Sequence, residues 1–525
     1  MATEGSAQWK RHNGRVWGYC LIAGTLAVLY GMGVGQTSGF FAMARQVTES
    51  PYNYDFGTYN PATKAKVLTA PQISGIAGSA LGAAVVGAAF AGTVGTRFGR
   101  KWGLLVAALA YIIGIATAVG ALDFQTVIVG RVFAGLGVGL AANFIIPYWA
   151  ETTPKSLRGL IIVMYQALIN IAQFVGASIN KGTSDLTTRW AYRGPLLTEL
   201  LMPILCVTFV YFMPETPRWY VTRGRYDKAR ESMRRLRGPS WPPEEIDAEV
   251  NDIIGMYEIE KQLEGTARWA QCFQGTDLRR TLLTIGCLLS QELSGVAFIA
   301  GYGTYFFSLS GVNDPFLITV ISSMCGIAGS LSSFFLIKYV SRRVILIVGT
   351  VTQSVCMFIF AIVGVATPGT NAAAKCLVAF VCIFTFSYGA SWGPVSFVLV
   401  GELPSTKLRS KTVALATSIG WVLNVLISVG MPYLLNATYI NLGTKIGFIF
   451  GATELLSLVF VVFFLPETKD RTLEEIDEMF MNKVPAWNFS KYVTTRTVQG
   501  VSVQEKVAHV VGLDKATVSN VERVA

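Results

Sequence analysis

The sequence predicts an all-α membrane protein, with twelve spanning helices arranged as two six-helix repeats and short cytoplasmic helices between them. Three observations carry this expectation. Only 14% of the 525 residues are charged and 52% are hydrophobic, with a mean hydropathy of +0.48; a soluble chain carries about 25% charge. The apolar residues fall into runs of the length that crosses a bilayer, about 20 residues each. The motifs that follow these runs recur at long range, which is the mark of a duplicated unit.

The elements follow in chain order. Residues 1–15, "MATEGSAQWKRHNGR", form a polar N-terminus. The run after them is too long for a signal-peptide core and has no convincing cleavage site, so it is expected to stay in the protein. Six spans are expected at about 16–42, 71–94, 102–121, 125–149, 159–180 and 195–213, making a first bundle over 16–213. A charged segment, 214–279, follows. Within it "GRYDKARESMRRLRG" and "PPEEIDAEVNDIIGMYEIEKQLEG" read as amphipathic helices. Six more spans are expected at about 281–309, 315–337, 344–366, 375–401, 412–435 and 445–465, a second bundle over 280–465. The tail, 466–525, is polar.

Charge in the loops orients the chain. Arg97, Arg100 and Lys101 follow span 2; Lys155 and Arg158 follow span 4; Lys338, Arg342 and Arg343 follow span 8; Lys407, Arg409 and Lys411 follow span 10. The loops after spans 3 and 7 carry no Lys or Arg, and those after spans 9 and 11 carry one each. The positive-inside rule places both termini and the central segment in the cytoplasm, with the plasma membrane as the expected location. The net charge of +11 then faces anionic lipid. Asn436-Ala437-Thr438 falls outside as a glycosylation sequon, whereas Asn488-Phe489-Ser490 falls inside.

The repeat is explicit. "AETTPKSLRG" follows span 4 and "GELPSTKLRS" follows span 10, with Glu151 and Glu402 251 residues apart. "PETPRW" follows span 6 and "PETKDR" follows span 12, 252 residues apart. Two independent motif pairs at nearly one offset indicate a parallel duplication.

With "GRVFAGLGVGL" at 130–140, "PYWAETTPKSLRG" at 147–159, "PETPRWY" at 214–220, "QELSG" at 291–295, "WGPVSFVLVGELP" at 392–404 and "PETKDRTLEEID" at 466–477, the chain resembles the sugar porter family of the major facilitator superfamily. In detail it is most similar to fungal α-glucoside and hexose permeases. The resemblance implies the major facilitator fold and a central sugar site opened to each side by rocking of the halves. It also implies that Arg97, Arg100, Glu151, Arg158, Arg342, Glu402 and Arg409 form charge networks that close the cytoplasmic face.

A sugar leaving water needs its hydroxyls hydrogen-bonded and an aromatic face to rest on. Polar side chains deep in membrane helices are the candidates. By resemblance these are Gln166 in span 5, Gln291 in span 7 and Asn424 in span 11, with Trp392 and Trp421 to stack on the ring or line a gate. The chain departs from the family at Glu292, where a second glutamine is usual, and at Ala297, Phe397, Thr96 and Lys338. Glu292 therefore joins the candidate substrate residues, and a larger or more apolar cargo than a monosaccharide is compatible with the pattern.

The stretch "LYGMGVGQTSGF", Leu29–Phe40, bears on coupling. It lacks the strand and the glycine register of a phosphate loop. Gly31, Gly35 and Gly39 share one helix face, a spacing that lets two helices approach closely. Gly33 lies on another face. By resemblance it stands where proton-driven relatives keep an aspartate, and Arg131 is then expected to lack its acidic neighbour. Facilitated diffusion is the expected mode. Proton symport through Glu292 is the alternative, since Glu199, Glu292 and Glu454 are the intramembrane acids and His12 and His509 lie in the polar ends. A metabolite exporter or a transporter-like sugar sensor would use the same scaffold.

Enzyme classes find no support: no Walker A loop, H-E-x-x-H or G-x-S-x-G elbow occurs. The basic residues are scattered between apolar runs, which argues against nucleic acid. The eight cysteines contain no C-x-x-C pair, so neither a metal site nor a disulfide framework is expected. No cofactor is expected. The expected partners are a small sugar or related metabolite and the lipid bilayer, around a monomer.

Overall fold

The computed structural model describes residues 14–492, apart from 47–50, 61–64, 155–157, 240, 265–267, 310–313, 368–369, 406, 437, 470, 472 and 490–491. His12, His509, Lys155 and the Arg158 side chain lie outside the described residues. Among the described residues, eleven helices are long and apolar enough to cross a membrane: Gly14–Met43, Ala70–Phe98, Arg100–Gly120, Phe124–Thr152, Trp190–Phe212, Gly275–Leu309, Pro315–Tyr339, Arg342–Ala366, Asn371–Glu402, Arg409–Leu435 and Gly443–Phe463. A further 26-residue helix, Arg158–Thr183, stands at the place of span 5.

Four of the expected spans are not continuous helices. Span 1 divides into Gly14–Gly24 and Ala27–Gln46, and span 6 into Trp190–Glu199 and Leu201–Phe209. Span 7 divides into Gly275–Leu293 and Val296–Leu309, and span 10 into Asn371–Ala390 and Trp392–Glu402. In span 7 the break sits at Gly295, whose φ of +91° suits only glycine. A Cβ there would also stand 2.8 Å from the Phe450 ring. In span 6, Pro195 and Pro203 each remove a backbone donor. Hydropathy averages over such breaks, so they are invisible to span counting. They matter because spans 7 and 10 break beside the candidate site.

The all-α fold carries one short β hairpin. Between spans 1 and 2 a short helix, Pro51–Phe56, leads into an antiparallel hairpin, Thr58–Asn60 with Ala65–Val67. It is anchored by Asp55, which accepts from Arg189 Nε and Nη2 at 2.9 and 2.8 Å and from Tyr192 Oη at 2.7 Å. Phe40, Tyr52, Phe56 and Tyr192 pack beneath it. This end of the bundle is called the hairpin side and the opposite end the linker side.

The glycine stripe of span 1 lies against span 5. A Cβ at Gly31 would overlap the Ile169 carbonyl, one at Gly35 would stand 2.9 Å from the Gln173 carbonyl, and one at Gly39 would overlap the Asn180 amide. The backbones are therefore in direct contact, which only glycine allows. Gly33 faces elsewhere, with Tyr111 Oη 3.6 Å from its virtual Cβ.

On the linker side the two amphipathic helices expected from sequence appear as Tyr226–Arg237 and Pro243–Glu264, joined by a shorter one, Pro217–Thr222. Val221, Met233, Leu236, Ile246 and Val250 form their own small core. Arg237 ties them to span 4 by donating to Thr152 O at 2.9 Å and to Glu249 Oε2 at 3.0 Å. The start of the tail also packs: helix Leu473–Met481 sits under span 7, where Arg280 pairs with Asp477 and lies over the Phe480 ring.

Candidate functional site

The duplicated motifs become a duplicated device. Glu215, of "PETPRW", accepts from the backbone N–H of Arg100 at 2.9 Å, Lys101 at 3.1 Å and Thr216 at 2.9 Å. Glu467, of "PETKDR", accepts from Arg342, Arg343 and Thr468, each at 3.1 Å. Each carboxyl thus caps the N-terminus of a spanning helix, where orphan N–H groups and the helix dipole favour an anion. Gly99, at φ +97°, lets Glu215 approach. Burial pushes the Glu215 carboxyl up to about 7, against the pull of those backbone donors and of Arg100.

The other members of the network pair inside their own halves. Arg100 Nη2 donates to Glu151 Oε1 at 2.9 Å. Arg342 Nη2 lies 3.5 Å from Glu402 Oε1, and Thr468 Oγ1 donates to Glu402 Oε2 at 2.6 Å. Arg97 is exposed over the Phe98 ring, and its carbonyl accepts from Arg223 at 2.9 Å. Arg409 begins span 11 and is half-buried.

Midway through the bundle, at the boundary of the halves, the polar candidates gather. Gln291 donates from Nε2 to Tyr388 Oη at 3.1 Å. Glu292, half-buried, accepts from Asn424 Nδ2 at 2.6 Å. Gln166 reaches across from the first half: a Cβ on Gly393 would meet its side chain at 3.2 Å, and its Nε2 donates to Asn170 Oδ1 at 3.3 Å. Trp421 meets Tyr30 edge-on across the same boundary, with centroids 6.1 Å apart, and Phe397 meets Tyr165 at 6.3 Å. Trp392 is placed differently. It is fully buried in the second half, with its indole N–H donating to Thr350 Oγ1 at 2.9 Å.

Sequence reasoning passed over three residues here. Asn170 bonds to the carbonyl of Gly326 and to Ser330 in the second half; its spacing of four from Gln166 was the available signal. Tyr30 and Tyr388 carried no signal, because an aromatic residue in a membrane run reads as lipid-facing or core.

Arg131 also differs from expectation: it does not lack an acid. Glu199, from the break in span 6, is fully buried within electrostatic reach of Arg131, and it accepts from Tyr111 Oη at 2.6 Å. Tyr111 is the residue that Gly33 faces. Glu199 lies far from Gly33 in sequence, a separation that no local motif reveals, and no direct ion pair joins it to Arg131 among the described residues. Glu454 in span 12 is likewise fully buried, within the second half.

On the hairpin side the halves touch. Thr304 N donates to Ser38 Oγ at 3.2 Å, Ser74 Oγ to Val429 O at 2.8 Å, Phe41 stacks on Tyr302, and Lys181 pairs with Asp314 at 2.7 Å. Asn436 ends span 11 on this side, with Oδ1 accepting from Thr438 N at 3.1 Å. This arrangement is that of a site between two halves that meet on the hairpin side.

Comparisons agree with this architecture. The chain is 33% identical to the major facilitator-type transporter ecdD of Aspergillus rugulosus, over 94% of this chain and 93% of that one. It is 32% identical to the high-affinity fructose transporter ght6 of Schizosaccharomyces pombe, over 83% of each. The fold matches the partially occluded, inward-open xylose transporter XylE from E. coli with a TM-score of 0.71, at 20% identity, over 88% of this chain and all of that one. Residues 19–480 match the family described as Sugar (and other) transporter. The chain is a multi-pass membrane protein of the major facilitator fold and belongs to that family of sugar (and other) transporters.

Proposed function

We propose that this protein carries a sugar, a hexose or an α-glucoside, across the membrane by alternating access, and that it does so by facilitated diffusion. The observation that carries the reading is the set Gln166, Gln291, Glu292 and Asn424, drawn from both halves and gathered at mid-bundle beside Tyr30 and Trp421. These side chains supply donors and acceptors to hydroxyls and aromatic edges to a pyranose face. The naming of ght6 as a fructose transporter points to the same cargo class.

Facilitated diffusion is supported by Gly33 and by Glu199. Coupling needs a group that binds and releases a proton as the site changes sides. Gly33 has none, and Glu199 is held by Tyr111 as a counter-charge for Arg131. Proton symport is the second reading, favoured by Glu292, whose carboxyl stands in the site itself. Uptake of labelled glucose, fructose, xylose, maltose and cellobiose into liposomes decides, each with and without an imposed pH gradient. Equilibration without accumulation is expected. Gradient-driven accumulation that Glu292→Gln abolishes overturns facilitated diffusion.

The linker side is read as cytoplasmic, from the Lys and Arg that flank it, in a plasma membrane and a monomeric protein. Asn436 is then extracellular and open to glycosylation. Removal of N-glycans should shift the mobility of the wild-type chain and leave Asn436→Gln unmoved.

A further inference from the structure

We infer that the site selects a sugar bearing a protonated amine, with Glu292 as the residue that pairs with the cation. The inference rests on the sugar-carrier reading above and names the cargo class within it.

At the boundary of the halves, Glu292 has no cationic partner among the described residues. Its Oε2 is met by the Asn424 amide, a neutral donor. The charged and titratable groups within electrostatic reach are Tyr30 from the first half and Tyr388 from span 10. Among the described residues no Lys or Arg pairs with it, whereas Glu151, Glu402 and Asp477 each have an arginine. A carboxylate at membrane depth is costly until a proton or a cation meets it. A neutral sugar fills its hydrogen bonds and leaves the charge standing. An ammonium group on the sugar pairs with the carboxylate, so the loaded site is electrically neutral.

The surroundings suit a cation. The Tyr30 and Trp421 rings lie edge to face at the same boundary, and Tyr388 borders Gln291. Aromatic faces attract an ammonium group while tolerating the apolar face of a pyranose. Gln166 and Gln291 remain for the neutral hydroxyls. A conventional pair of amides could serve the hydroxyls equally well, so what a carboxylate adds over a second amide is recognition of charge.

The test uses the full chain in liposomes of neutral lipid. Labelled glucose uptake is challenged by glucosamine and by 2-deoxyglucose, two sugars altered at one carbon, at about pH 7, below the titration range of an aliphatic amine. Glucosamine should compete about tenfold more strongly or better, the increment expected of a hydrogen bond to a charged group. The preference should disappear in Glu292→Gln, persist in Glu292→Asp, and fade in the wild type as the amine deprotonates. Equal competition by the two sugars in the wild type overturns the inference, even if neither variant folds. Proton movement with glucose and no amine preference overturns it too, because the proton is then the partner of Glu292. Failure of every sugar to compete overturns the sugar-carrier reading beneath it.

Discussion

At the scale of single residues, span 1 and span 6 meet at the Tyr111 hydroxyl. Gly33 leaves a space facing Tyr111 Oη, 3.6 Å from where a Cβ would stand. Glu199 holds the other side of that hydroxyl and balances Arg131. Replacing Glu199 by glutamine keeps a hydrogen-bond partner for Tyr111 but removes the charge. The arginine is then buried without compensation, at a cost of about 2 kcal/mol, below the 3–5 kcal/mol of a broken direct ion pair because the attraction acts at a distance. A lower thermal midpoint for Glu199→Gln than for Glu199→Asp is the expected reading. The reverse experiment is Gly33→Asp, which puts a second acid beside Tyr111. Flux through this variant should respond to an imposed pH gradient to which the wild type is indifferent, measured as sugar accumulation in liposomes.

At the scale of elements, close helix contact and helix capping set the constraints. Gly31→Ala drives a methyl into the Ile169 carbonyl of span 5, whereas Gly82→Ala meets nothing within 4 Å. The first should cost roughly 1–3 kcal/mol through overpacking, and the second should be neutral or slightly stabilising, since alanine favours a helix over glycine. Yield of folded protein and thermal midpoint separate them. Glu215 gives an element-level pH dependence. Its carboxyl sits near 7 in the folded protein and at its ordinary 4.5 when unfolded, so the folded state binds more protons between those values. Its contribution is complete below about pH 4.5 and is lost as pH rises to about 7, a span of about 3 kcal/mol. Thermal midpoints measured across that window should fall less steeply in Glu215→Gln than in the wild type.

At the scale of the molecule, the two halves meet on the hairpin side through Ser38, Phe41, Lys181 and Asp314, while the linker-side pairs Arg100–Glu151 and Arg342–Glu402 stay within their halves. Transport by rocking requires the cross-half contacts to part. A Lys181→Cys, Asp314→Cys chain should lose uptake when oxidised and regain it on reduction, whereas each single variant should be insensitive to the oxidant. Persistent uptake by the cross-linked chain would show that this side does not open in the cycle.

The sequence by itself determined the number and length of the spans, the charge asymmetry and the duplication, because these follow from hydrophobic run length and from motif recurrence, both linear properties of the chain. It also pointed to Gln166, Gln291 and Asn424 through their resemblance to family positions, and to Glu292 as a departure from one. Tertiary structure alone decided what those groups meet. The break in span 7 depends on the backbone angle at Gly295, and that in span 6 on the donors that Pro195 and Pro203 lack. The pairing of Glu292 with Asn424 joins residues 132 apart, Tyr111 meets Glu199 across 88, and Trp392 turned out to be committed to Thr350 rather than to the site boundary. A hydrogen bond is short-ranged and directional, so its partner is set by how helices pack and rotate, and hydropathy carries no record of either.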